Sequence, residues 1–363
     1  MSKNVTLARR QLFRETARTV AAVSLGLSPA VAALTGATAR AVAPAPRPPS
    51  RNPFGTLKQV AAGVLNVAYV QAGPADGPVV ILLHGWPYDI HSFGEVVPLL
   101  ASAGFRVIVP YLRGFGGTRF LSDETLRNGQ QAAVALDAIA LMDALHIRQA
   151  TLGGFDWGAR TVDVVAALWP ERCKAIVAVS GYIIVNLEAN QKPLLPEAEH
   201  GWWYQYYFAT ERGRRGYAAN RRAFNKLIWK EASPKWTFDD ATFERTAAAF
   251  DNPDHVAIVI HNYRWRLGLE AGEPIYQELE RRLAQGPSIS VPTITIGSDF
   301  DGAAADGAGY ARKYVGPYSH RILTGIGHNV PQEDPQAFAK AILDAHGLAD
   351  RYQGPIDRPA PGK

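Results

Sequence analysis

The chain is short of cysteine. Among its 363 residues only Cys173 carries a thiol, so no intramolecular disulfide can staple the fold. Cysteine usage alone would suit a reducing compartment. Metal-spaced His/Cys clusters, a phosphate loop and a dinucleotide fingerprint are also missing, which removes the enzyme classes that announce themselves through those motifs. There is no internal repeat. Nor is there a basic excess where a nucleic-acid binder needs it. The formal charge is +5, but Lys3, Arg9, Arg10, Arg14, Arg18 and Arg40 stand against Glu15 alone in residues 1–41. Six of the 38 basic residues and one of the 33 acidic ones lie there, so the remainder is balanced at 32 of each sign. A nucleic-acid-binding domain keeps its positive charge in the folded part. An apolar content of 47% and a charged content of 20% suit a soluble globular protein, long enough for a core and an insertion.

What the first 41 residues do have is the order of an export signal. A polar, positive stretch to Arg18 precedes an uncharged run rich in Ala, Val and Leu from Thr19 to Gly36. Ala37-Thr38-Ala39 then offers a small-x-small cleavage site, with Ala39-Arg40-Ala41 as a second choice. Arg9-Arg10-Gln11-Leu12-Phe13 resembles a twin-arginine signal, though Ala8 replaces the usual Ser/Thr and Leu12-Phe13 is reversed. The alternative is a membrane anchor, for which so mildly apolar a run is poorly suited. The expectation is a protein exported to the periplasm or secreted, with no stable membrane anchor after cleavage. Residues 42–58, with Pro44, Pro46, Pro48, Pro49 and Pro53, read as an extended linker.

From there β-branched runs alternate with helical stretches, which predicts a mostly parallel sheet flanked by helices on both faces. Strands are expected at Asn66–Gln71, Val79–Leu83, Arg106–Pro110, Ala150–Gly154, Ala175–Val179, Thr293–Ile296 and Arg321–Leu323. The rhythm stops between Gly181 and about Gly286, where Trp202, Trp203, Tyr204, Tyr206, Tyr207, Trp229, Trp236 and Tyr263 give a helical, aromatic stretch. The expected organisation is an α/β core at residues 59–182 and 287–350, a helical lid at 183–286, and a loose tail at 351–363.

Four motifs carry chemistry. Gly154-Phe155-Asp156-Trp157-Gly158 follows a strand and has the frame of a nucleophile elbow, with small residues two before and two after the central one. Asp in that position attacks a saturated carbon and forms an alkyl ester; ordinary acyl transfer would give it a labile anhydride. Alone, the motif equally suits a turn Asp capping the helix Trp157–Trp169. His84-Gly85-Trp86-Pro87 follows the strand Val79–Leu83, where this frame draws an oxyanion-hole N–H; Trp86 and Trp157 are the candidate backbone donors. Gly325-Ile326-Gly327-His328-Asn329 supplies a loop histidine that could activate water, although such a histidine taken alone is more often structural. Gly297-Ser298-Asp299-Phe300-Asp301 offers the aspartate to orient it: Asp301, deeper in the loop, is preferred and Asp299 is the fallback.

Together these blocks resemble the α/β-hydrolase superfamily from about residue 55 to 350, and the Asp-Trp-Gly elbow and His-Gly-x-Pro loop resemble epoxide hydrolases in particular. Phe155 stands where the family elbow usually has His. Tyr204-Gln205-Tyr206-Tyr207-Phe208 and Asn262-Tyr263-Arg264 resemble the family's two lid segments. The resemblance implies Tyr204 and Tyr263 as a ring-opening pair that binds the epoxide, and two phenol O–H groups suit an opening oxirane, which leaves a strongly basic alkoxide. Trp86 and Trp157 are expected to line the substrate site as well.

The implied reaction has two steps, attack by Asp156 on an epoxide carbon and hydrolysis of the ester by water activated by His328 and Asp301. It needs no metal or redox cofactor. The expected partner is a small, apolar substrate. Two alternatives remain open: a haloalkane or haloacetate dehalogenase with the same Asp-His-Asp set, and a non-catalytic pocket protein. The sequence carries neither the Asn at position 86 nor the Arg after the nucleophile that would mark the dehalogenases.

Overall fold

The run Val79-Val80-Ile81-Leu82-Leu83 has no polar side to turn toward water, so it is stable as a strand only with both faces covered. In the computed structural model, which describes residues 54–352, it is strand β3 (Val79–Leu83), buried almost throughout. Each such aliphatic side chain removed from water contributes about 1.5–3 kcal/mol. Its neighbours are β4 (Arg106–Pro110) and β6 (Ala150–Gly154), both parallel to it. Next to β6 follow β7 (Cys173–Val179), β8 (Thr293–Ser298) and β9 (Tyr318–Leu323), all parallel. On the other side β2 (Leu65–Ala72) pairs antiparallel with β4, and β1 (Lys58–Ala62) with β2. The two-residue β5 (Arg119–Phe120) also pairs with β2, giving the order β1-β2-β4-β3-β6-β7-β8-β9 with β5 off the path. This is the mostly parallel sheet expected, lengthened at several ends and carrying two unforeseen strands, β1 and β5. The sheet begins at Lys58, inside the expected linker.

Helices cover both faces: α1 (Val96–Ser102), α2 (Gln131–Ala144) and α3 (Trp157–Leu168) from the first half, α10 (Val330–Glu333) and α11 (Pro335–Arg351) from the end. Helix α11 carries order to Arg351, one residue into the expected tail. Six helices lie between β7 and β8: α4 (Pro196–Gly201), α5 (Trp203–Ala209), α6 (Glu211–Ala232), α7 (Asp240–Ala247), α8 (His255–Arg266) and α9 (Gln277–Ala284). No helix among the described residues is long and apolar enough to cross a membrane. The expected export segment, the linker up to residue 53 and the tail beyond 352 lie outside the described residues.

Cys173 opens the interior strand β7 and is buried. The basic cluster of the insertion is a solvated face paired with acids: Arg214 and Arg215 bind Glu211, and Arg221 and Arg222 bind Asp251.

The topology fixes where a site can form. From β3 the chain moves outward to β4, and then returns to the other side at β6. Open α/β sheets bind ligands at the carboxyl ends of strands where the order reverses in this way. Leu83 at the end of β3 is in register with Gly154 at the end of β6. The His-Gly-Trp-Pro loop and the Asp156 turn therefore leave the sheet side by side.

Candidate active site

Asp156 joins β6 to α3 with φ 54° and ψ −126°, a conformation costly for an L-residue with a side chain. Its side chain makes no capping bond to the helix it precedes, so the capping alternative does not hold. The turn closes because its flanks lack side chains. A Cβ on Gly158 would lie 1.8 Å from Leu83 O, and one on Gly154 would lie 2.3 Å from the carbonyl carbon of Gly158. The neighbouring loop presses in as closely: a Cβ on Gly85 would lie 2.1 Å from Asp156 Oδ1.

That approach brings the Trp86 N–H to Asp156 Oδ1 at 2.7 Å, and the nearby Trp157 N–H helps to favour the carboxylate charge. His328 Nε2 lies 3.1 Å from the other oxygen, Oδ2. Burial works to raise the carboxyl pKa, but His328, the Trp157 N–H and the Arg160 guanidinium together hold it below the usual carboxylate range. Asp156 is thus ionised and preorganised, with Oδ1 held by backbone.

Tyr204 and Tyr263 meet near enough to feel its charge, their rings 5.4 Å apart and nearly perpendicular; Tyr204 shares a cavity wall with Asp156, and Tyr263 is not among the lining residues. Tyr204 stands 5.2 Å from the Trp86 ring, and Tyr263 lies 5.3 Å from Trp86 and 6.1 Å from Trp157. Burial first, and the Asp156 charge among the further causes, raise both phenol pKa values, so both remain proton donors. Tyr206 and Tyr207, the neighbours that could be mistaken for Tyr204, point elsewhere: Tyr206 bonds Glu199 and is exposed, and Tyr207 stacks on Phe224. Trp86, Asp156, Tyr204, Phe300 and His328 line a cavity of about 1090 Å³, whose walls include Ile228 and Ile326. Trp203 lines the cavity too, whereas Trp202 packs on Tyr204 and Phe300.

The expected acid is not where the sequence reading put it. Asp301 Oδ2 accepts the Ser298 N–H at 2.8 Å, closing a capping box at the start of the 3-10 turns Asp299–Asp306. Asp299 fares no better: its Oδ2 binds Lys235 Nζ at 2.5 Å and the Gly325 N–H at 3.1 Å. Neither carboxylate reaches His328, whose Nδ1 is buried without a hydrogen-bond partner among the described residues. Phe300, between the two aspartates, instead packs its ring 4.1 Å from the imidazole.

Tyr217, His255 and Arg160 support the site and escaped the sequence reading. Trp86 Nε1 donates to Tyr217 Oη at 2.8 Å, and Tyr217 Oη bonds His255 Nε2 at 2.8 Å. Because His255 Nδ1 meets the Gly114 carbonyl at 2.9 Å, its N–H donates there and Nε2 accepts the Tyr217 O–H. His84 plays a similar part on the other side, with Nε2 accepting the Leu112 N–H. His261, beside Tyr263, accepts the Gly129 N–H and is structural. Buried Arg160 donates to Asn262 Oδ1 at 2.9 Å, tying α3 to α8 next to Tyr263.

Burial pushes His84 down to about 4 and His255 down to about 3, so both are neutral in the fold. Unfolded, each titrates near 6.5, and the unfolded chain therefore binds more protons below that pH. Stability from these two groups is full above pH 6.5 and declines as pH falls toward about 4 and about 3. By pH 5 the loss is about 2 kcal/mol for each histidine. Melting temperature measured from pH 7.5 to pH 5 should fall by several degrees, with a shallower slope in His255→Gln.

The α/β hydrolase fold family matches residues 78–221. A solved structure from Klebsiella pneumoniae, provisionally described as an epoxide hydrolase, is 59% identical and superposes with a TM-score of 0.80, covering 82% of this chain and 99% of that one. Epoxide hydrolase B of Mycobacterium tuberculosis is 33% identical over 150 residues, 38% of this chain and 41% of that protein, so the chain spans under half of that relative's length. Epoxide hydrolase A of the same organism is 25% identical over 325 residues, 80% of this chain and 96% of that one.

Proposed function

The chain belongs to the α/β-hydrolase family, among its epoxide hydrolase-like members, and from that premise we propose that it hydrolyses an apolar epoxide to a vicinal diol through an alkyl ester on Asp156. Oδ2 attacks a ring carbon; the C–O bond opens, and the departing alkoxide takes a proton from Tyr204 or Tyr263. In the second step water adds to the ester carbonyl carbon and gives its proton to His328 Nε2. The charge that develops on Oδ1 falls between the Trp86 and Trp157 N–H groups. Collapse of this intermediate releases the diol with Oδ2 in it, protonated by the His328 imidazolium; the water oxygen stays in the new carboxyl group, whose remaining proton returns to the tyrosinate to restore the starting state. The reading assigns no acid to His328 Nδ1, which has no hydrogen-bond partner among the described residues. It also extends to export of the protein before it acts, carried by the N-terminal segment.

The observation that carries this reading is an ionised carboxylate with one oxygen held by backbone at 2.7 Å, the other beside an imidazole at 3.1 Å, and two protonated phenols within reach of its charge. A departing halide would need N–H donors: the Trp86 indole already serves Tyr217, whereas the Trp157 indole N–H has no partner among the described residues, so the paired phenols and not a lack of donors favour the epoxide. Purified protein offered styrene oxide, 1-bromobutane and chloroacetate is expected to give phenylethanediol from the first and little halide from the others. Halide release without diol formation would move the assignment to the dehalogenases.

A further inference from the structure

We infer that Ser233 and Glu333 are positioning residues for His328, and that through them the helical insertion controls the ester-hydrolysis step. The inference rests on the epoxide reading above. Three consecutive N–H groups of the histidine loop are bound by these two side chains. Glu333 accepts Gly327 N–H on Oε2 at 2.7 Å and Asn329 N–H on Oε1 at 3.1 Å. Between them, the His328 N–H is shared by Ser233 Oγ at 3.0 Å and the Ala232 carbonyl at 3.1 Å. Ser233 Oγ in turn donates to Glu333 Oε1 at 2.6 Å, which closes the clamp.

The parts come from different layers of the molecule. Ser233 is the C-cap of α6 in the insertion, and Glu333 ends α10 on the core. They meet at close range, because a Cβ on Gly327 would lie 2.5 Å from Ser233 Cα. Apart from the Nε2 contact with Asp156 Oδ2 at 3.1 Å, the ring of His328 is held by packing, with Phe300 at 4.1 Å and Tyr88 at 5.8 Å between centroids. With no acid on Nδ1 among the described residues, the ring direction depends on where its backbone is fixed. A shift of about 1 Å in a catalytic group can cost on the order of 100-fold in rate.

The clamp bears on one half-reaction. Asp156 Oδ1 is set by the Trp86 N–H, which is no part of the clamp, so ring opening should proceed when the clamp is broken. Ester hydrolysis, which needs Nε2 aimed at a water, should slow. A step-specific effect of this kind lowers kcat and KM together and leaves kcat/KM nearly constant.

The test uses Ser233→Ala and Glu333→Gln with styrene oxide, reading kcat, KM and the alkylated fraction by rapid-quench mass spectrometry. Expected results are a kcat about 10-fold or more below wild type, kcat/KM within about 3-fold, and an ester fraction on Asp156 that rises well above the wild-type level. Ser233→Ala removes a single oxygen and guards against a folding defect in the other variant. Equal losses in kcat and kcat/KM, or unchanged kinetics with no added ester, overturn the clamp. His328→Gln run alongside separates the two readings. If it traps ester while the clamp variants do not, the clamp is wrong; if it traps none, the covalent epoxide reading fails and the clamp falls with it.

Discussion

With His328 replaced by Gln, the protein is expected to consume one equivalent of styrene oxide and stop. The reason lies in the division of labour around Asp156. Its carboxylate is kept ionised partly by His328 but also by the Trp157 N–H and Arg160, and Oδ1 is fixed by the Trp86 N–H. Ring opening draws on those groups and on the two phenols, so it survives the substitution at reduced rate. Hydrolysis loses its only base at 3.1 Å. General-base catalysis contributes about 10²–10⁴-fold, and turnover is expected to fall by that order. Intact-mass spectrometry should show near-stoichiometric addition of the whole epoxide, mapped by peptide analysis to Asp156. An unmodified protein with normal ligand binding would mean that residue 156 is no nucleophile, and the non-catalytic alternative would then return.

Loss of both phenols should be nearly as damaging, but to the other half-reaction. Tyr204→Phe and Tyr263→Phe each keep the ring that packs on Trp86 and remove only the hydroxyl. A preorganised donor aimed at a developing oxyanion contributes about 10²–10³-fold. One phenol can partly cover for the other, so single variants are expected to lose less than that and the double variant on the order of 10³-fold in kcat/KM. No ester should accumulate in the double variant, in contrast to His328→Gln. The pH profile carries the same signature. Burial raises both phenol pKa values, so ring opening should hold its rate through the alkaline range until the protein itself fails. Single-turnover alkylation in the double variant close to the wild-type rate would remove the tyrosines from the mechanism.

Most of the frame was legible because it is written in local patterns. An uninterrupted aliphatic run such as Val79–Leu83 can only be a covered strand, and a Gly-x-Asp-x-Gly sequence after a strand can only close as a tight turn. Strands β1 and β5 were missed for equally physical reasons. Lys58–Ala62 is mostly exposed on the outermost strand and lacks an apolar signature, and Arg119–Phe120 is too short to have one. Tyr204 and Tyr263 were singled out only through lid segments that resemble those of a family, since nothing in an aromatic-rich helix says which ring turns toward Asp156.

The acid was misread because depth in a loop says little about where a side chain turns. Ser298-Asp299-Phe300-Asp301 has the Ser-x-x-acid spacing of a capping box, and that local bond won. The signal was present and was outweighed by the search for a partner to His328. Ser233 and Glu333 left no comparable trace. One lies 95 residues from the histidine it holds, and only the packing of α6 against the loop brings the two together.

The crowding beneath Asp156 bears on how this catalyst could be altered. Gly85, Gly154 and Gly158 are pressed against backbone so tightly that no methyl group fits, and the floor of the cavity therefore offers no adjustable parts. Its ceiling is different, being made of exchangeable side chains on inserted helices, Ile228 and Trp203 among them. New substrate preferences, whether won in the laboratory or by natural drift, should accordingly be recorded overhead, while the chemistry below stays constant.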